Sequence, residues 1–210
     1  MSSKLLLALA GIISLAASLP SAPRECSQTS VPPSASTATP GLIAHPQHFN
    51  VYQSANQPNH PTDNVPHLDL HTNITRQVVV FTGIPPSAKT CSLGWRQGPI
   101  ENRVFRVDGN GLVSSRQLKS EGFPTWTTGS DVLINPTTIA PFQEGSEFVP
   151  GMDFTFWDQP EFSAPATHGG PSVKCQERIV VELAVNFNNG QDGRVFMQDD
   201  AENGLYISYS

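Results

Sequence analysis

Apolar and polar residues alternate with a period of two along most of the chain from residue 47 onward. Successive side chains of an extended strand point to opposite faces, so this rhythm predicts half-buried β-strands. The clearest case is "ERIVVELAVNF" (Glu177–Phe187). It sets Ile179, Val181, Leu183, Val185 and Phe187 on one face, opposite Glu182, Ala184 and Asn186. "NNGQDG" then turns the chain and "RVFMQ" (Arg194–Gln198) returns it, as in a hairpin. "GLYISY" (Gly204–Tyr209) places Leu205, Ile207 and Tyr209 together. Earlier strands are expected at His48–Ser54, Leu68–His71, Arg76–Phe81, Cys91–Trp95, Asn102–Val107 and Leu112–Leu118, with shorter ones at Asp131–Ile134 and Met152–Trp157. Short strands separated by Gly, Pro and Asn turns, with no helical period between them, predict an all-β antiparallel sandwich.

"VVVFTGIPPSAKTCSLGW" (Val78–Trp95) carries the most information about how the strands connect. Arg76–Phe81 is apolar on both faces, as a central strand is. Pro85 and Pro86 cannot donate to a ladder, so the strand must stop before them. They predict a rigid corner at which the chain crosses to the other sheet. Cys91, Leu93 and Trp95 then share one face of the next strand, where a disulfide beside a tryptophan would fill the core.

The N-terminus changes the picture from fold to location. Lys4, the apolar run Leu5–Ala17 and the small residues Ala16, Ala17 and Ser18 have the form of a signal peptide, residues 1–18. Residues 19–45 are rich in Ser, Thr and Pro and read as a disordered or O-glycosylated linker, leaving 46–210 for the sandwich. No second apolar run follows, so no membrane association is expected after cleavage. An exported chain can form disulfides. Of the three cysteines, Cys91 and Cys175 both precede strand-like segments and are expected to pair. Cys26 stands alone in the linker, with its partner open. Asn73-Ile74-Thr75 is a sequon for N-glycosylation. Only 14% of residues are charged and the net charge is −6, without a Lys/Arg run, which argues against nucleic acid as a partner.

At "HFNVYQS", the Phe81–Trp95 core, "RVFMQ" and the terminal "GLYISY", the sequence resembles the But-two C-terminal domain of secreted fungal proteins. The resemblance spans roughly residues 47–209. It implies a compact all-β module with a Cys–Cys bridge and no known catalytic activity. The family's name comes from binding to the activating enzyme of a ubiquitin-like modifier, a partner that the export signal makes a poor match.

Candidate chemistry is sparse. Five of the six histidines fall at 45, 48, 60, 67 and 71. In "HLDLH" a strand puts His67, Asp69 and His71 on one face, a possible zinc or copper set, although any exposed strand face produces the same alternation. A copper monooxygenase would need histidine at the mature N-terminus, where cleavage after Ser18 leaves Leu19. Trp126 and Trp157 are candidate platforms for stacking on a sugar ring, against an ordinary packing role. Asp199, Asp200 and Glu202 lie on an acidic turn that fits no calcium-loop signature. Asp153 and Glu182 are the carboxylates available for glycosidase chemistry, with nothing to pair them, and no G-x-S-x-G elbow occurs. The expectation is a secreted, non-catalytic, cofactor-free module of the cell wall or medium that binds glycan or another extracellular protein. The alternatives are a metal-dependent oxidase or hydrolase using the histidine-rich segment, and a structural component of the wall.

Overall fold

The computed structural model describes residues 40–53, 62–127, 131–188 and 190–210. The expected signal peptide, Cys26, His60 and most of the expected linker lie outside these residues. The described chain forms two antiparallel sheets. The first has four strands in the order β1 (Gly41–Ala44), β13 (Gly204–Tyr209), β6 (Cys91–Gln97) and β10 (Ala166–Val173). The second runs β7 (Phe105–Gly109), β12 (Gly193–Gln198), β4 (His67–His71), β5 (Thr75–Thr82), β11 (Arg178–Val185), β8 (Leu112–Leu118) and β9 (Val149–Asp153). Two further strands extend it from β5: β2 (Gln47–Tyr52), and β3 (Asp63–Val65) beyond β2. β1 falls inside the segment expected to be linker. Its Leu42 and Ile43 make it worth pairing, and it adds an edge to β13 from Gly41↔Tyr209 to Ala44↔Tyr206.

The main core lies between the sheets. Cys91, Leu93 and Trp95 from β6 and Leu205 and Ile207 from β13 meet Val79, Phe81, Ile179, Val181, Leu183 and Val185 from β5 and β11. Trp95 is 1% exposed and stacks between Phe154 (ring centroids 4.4 Å) and His168 (3.7 Å). Burying each large aliphatic side chain here contributes about 1.5–3 kcal/mol. The Pro85–Pro86 corner carries the chain from β5 in the second sheet to β6 in the first. The Cys91–Cys175 disulfide is formed, with Cα atoms 5.3 Å apart. Cys175 precedes β11 by three residues, so the bond ties the β10–β11 crossover to β6.

A second core covers the outer face of the larger sheet. Phe49, Val51, Val78, Val80, Leu118 and Val180 are capped by Phe123, Ile134 and Ile139. This cover accounts for two departures from simple alternation. Asp131–Ile134 is not a strand: Ile134 N–H donates to Thr62 Oγ1 (2.8 Å), and Asn135 then caps the helix α1 (Pro136–Ile139) through Thr137 and Thr138. The face of β11 opposite Leu183 is also buried: Val180 lies under the cover, Glu182 is reached by Gln143 from it, and Ala184 is 3% exposed. Phe187 leaves the inner face, since Asn186 takes a left-handed conformation (φ 50°) and turns the ring onto Phe148, 4.1 Å away.

β4 and β5 part company after their hairpin. Their ladder pairs only His71 with Thr75, and β2 then takes the edge of β5. The splay leaves polar backbone to satisfy, and buried side chains do so. Gln77 Nε2 donates to His67 O (3.1 Å) and to Asn50 Oδ1 (2.8 Å). His48, 1% exposed, sits between Gln77 Oε1 (3.3 Å) and Asp199 Oδ2 (2.9 Å).

Candidate functional site

Three turns meet at one end of the larger sheet: 72–74 between β4 and β5, 109–111 between β7 and β8, and the connection from β11 to β12. Thr72 N–H donates to Gly193 O (3.0 Å), Asn110 Nδ2 to Gln191 Oε1 (2.9 Å), and Asn186 Nδ2 to Asn110 O. Asn73 (φ 59°) and Asn188 (φ 74°) sit in the left-handed region that asparagine tolerates through local hydrogen bonding.

Between them is a hollow of about 350 Å³. His71, Asn73, Arg76 and Asn188 supply polar groups, and Val185 and Phe187 supply apolar wall. Arg76 is fixed from below. Its Nη1 donates to Glu182 Oε1 (3.2 Å), and its guanidinium lies 5.4 Å from the Phe148 ring centre and 5.2 Å from that of Phe187. Arg116 holds the other Glu182 oxygen through Nε (2.8 Å) and Nη2 (2.7 Å), joined by Gln143 Nε2 (2.9 Å). Two guanidinium groups on one carboxylate leave this cluster with a net positive charge. A second hollow of about 340 Å³ adjoins, lined by His71, Asp108, Asp192 and Arg194. His71 is common to both.

The β4 face is arranged as the alternation required: Leu68 and Leu70 are buried, while His67, Asp69 and His71 are on the other side. The three do not form a ligand set. Asp69 accepts from Arg194 through both oxygens, at 3.0 Å each, which also raises the arginine pKa. His67 packs on Phe196 (4.9 Å), and burial lowers its pKa. Among the described residues no group of three His, Cys, Asp or Glu side chains converges for a metal ion.

The tryptophans are placed differently from an exposed platform. Trp126 packs edge-on to Phe49 (5.8 Å) over the second core. Trp157 lies beyond the end of β9, because the chain turns at Phe154–Trp157; its ring meets Trp95 (6.0 Å), His168 (4.1 Å) and Phe162 (4.5 Å). It packs against the core that holds Trp95 and Phe154, while Phe156 (φ 68°) is thrown outward at 66% exposure. Two of the three carboxylates on the acidic turn are already engaged. Asp199 serves His45 and His48, and Asp200 Oδ1 accepts from the Glu202 and Asn203 N–H groups. Glu182 is enclosed by its arginines, and exposed Asp153 accepts from Thr155 N–H, so the two carboxylates do not work as a pair. Asn73 is exposed at the turn tip, at the rim of the hollow. No motif includes Arg76 or Asn188 in the sequence; the sequon at 73–75 and the Asn-Gly pair at 189–190 are the local signals beside them.

No family model and no curated protein matches the sequence.

Proposed function

We propose that the chain is a secreted, non-catalytic binding module of the But-two C-terminal domain type, acting in the cell wall or medium on glycan. Export is supported by the signal-like N-terminus and by a disulfide of the kind that persists in oxidising compartments. The observation that carries the binding reading is the turn-end hollow. Sugar hydroxyls both donate and accept, and a pre-set arginine, an imidazole and turn amides offer both roles around an apolar wall. The fixed guanidinium lowers the entropy cost of engagement. The site replaces Trp126 and Trp157 as the place to test.

Asn73 complicates the hollow usefully. A glycan on this sequon would stand at its mouth and compete with any other ligand. The test is therefore a glycan array read with enzymatically deglycosylated protein, beside His71→Ala and Asn188→Gly. Glycine keeps the left-handed backbone at 188. Binding by the parent and loss in both variants is expected. An array without any ligand, or variants that bind as the parent does, defeats the proposal.

A further inference from the structure

The first sheet carries a separate hollow of about 330 Å³, lined by Arg96, Gly98, Pro99, Pro165, Thr167 and Glu202. Arg96 lies on β6 between Trp95 and Gln97. Alternation sends Trp95 into the core, so Arg96 projects from the opposite face. Its Nε is buried and has no hydrogen-bond partner. Buried polar groups are nearly always satisfied, and a desolvated guanidinium N–H without an acceptor is costly. Gln97 lines the hollow as well, and its uncharged Oε1 is also unpartnered, while its Nε2 donates to Phe162 O and Ala164 O.

Glu202 lies in the same hollow, packed over Gly98. A Cβ at position 98 would come 2.9 Å from Glu202 Cβ and 3.0 Å from its Oε2. Glycine there lets the carboxylate sit close to the strand. Yet among the described residues neither Arg96 nor Glu202 forms a salt bridge. Two opposite charges share one small hollow without closing on each other. A lone anion there would be repelled by Glu202, and a lone cation by Arg96. A molecule carrying both charges satisfies both. Pro99 and Pro165 add rigid apolar wall that costs little entropy to contact.

We propose that this hollow binds a small zwitterion of the free amino acid class. The carboxylate accepts from Arg96, the ammonium donates to Glu202, and the side chain lies along Pro99 and Pro165. This site is independent of the turn-end hollow and of the glycan reading.

Titration of the full chain with L-leucine, followed through the amide resonances of Gly98, Thr167 and Glu202, tests it. Saturable shifts are expected. L-leucine methyl ester lacks the carboxylate and N-acetyl-L-leucine lacks the ammonium; each should bind about fivefold or more weakly. Arg96→Gln and Glu202→Gln should each weaken L-leucine by a similar factor while staying folded by circular dichroism. The proposal is overturned if L-leucine gives no saturable shift, or if the blocked forms bind as well. It is equally overturned if uncharged glucose shifts these amides at lower concentration than L-leucine.

Discussion

Replacing Arg116 with methionine probes the carboxylate buried on the outer face of the larger sheet. Glu182 is 1% exposed, and its oxygens are held by Arg116, Arg76 and Gln143. Methionine keeps most of the apolar stem but removes two charge-assisted bonds at 2.7–2.8 Å. The carboxylate cannot move to water, because the strand fixes it between β5 and β8. Arg76 and Gln143 still hold the carboxylate, so losing the Arg116 bonds costs about 1.5–3 kcal/mol, short of the about 3–5 kcal/mol of a fully unpaired buried charge. Glu182→Leu is the complementary change. It leaves two arginines whose side chains are 16% and 27% exposed and still rest on Phe148 and Phe187. These can rehydrate, so about 1–3 kcal/mol is expected. Combining the two removes the main ion pair in favour of apolar packing, which is often close to neutral. The double variant should therefore be more stable than Arg116→Met alone, with a coupling of about 2–3 kcal/mol. Urea unfolding gives each value, provided the slope with denaturant stays constant. If Arg116→Met costs under about 1 kcal/mol, the pair behaves as a surface salt bridge and the reasoning fails. Simple addition of the two single effects would refute it as well.

Further perturbations test other parts of the fold. The Cys91–Cys175 bond closes a separation of 84 residues, so Cys91→Ala/Cys175→Ala should lose up to about 4.5 kcal/mol by the chain-entropy relation; an unchanged unfolding midpoint would contradict it. Gly94→Ala places a Cβ 2.4 Å from Tyr206 Cζ and 2.6 Å from the backbone oxygen of His168, and should destabilise by about 1–3 kcal/mol; neutrality in chemical unfolding would show that Tyr206 simply swings away. Burial holds the His168 pKa below its ordinary value, so its imidazole stays neutral in the fold while the unfolded chain takes up a proton near pH of about 6.5. Stability from this group is complete above that pH and is lost as the pH falls toward the lower folded value. His67, lowered for the same reason, acts in the same direction. His168→Phe should therefore flatten, without abolishing, the decline in urea midpoint between about pH 7.5 and about pH 5, and an identical slope would exclude His168.

The alternation of β11 and β13, the Pro85–Pro86 corner and the Cys91–Leu93–Trp95 face were legible because each depends only on the pleat of its own strand. The cysteine pairing was legible too, since Cys26 stood apart from the strand-like segments in the sequence. Nothing local announced that Phe123, Ile134 and Ile139 would fold over Val78, Val80 and Val180, so Glu182 read as solvent-facing and Asp131–Ile134 as a strand. The same limit applied to the site. The strand position of His71 was visible, but its neighbours were not. Arg194 reaches it by pairing β12 with β4, and Phe187 and Asn188 come within range because β11 pairs with β5. A residue's face is set by the dihedrals of its own strand, whereas the residue opposite is set by which distant strand supplies the matching hydrogen bonds and apolar face. The sequence by itself therefore determined the kind of layers and the side of each residue. Tertiary pairing alone decided which polar groups would converge into a hollow.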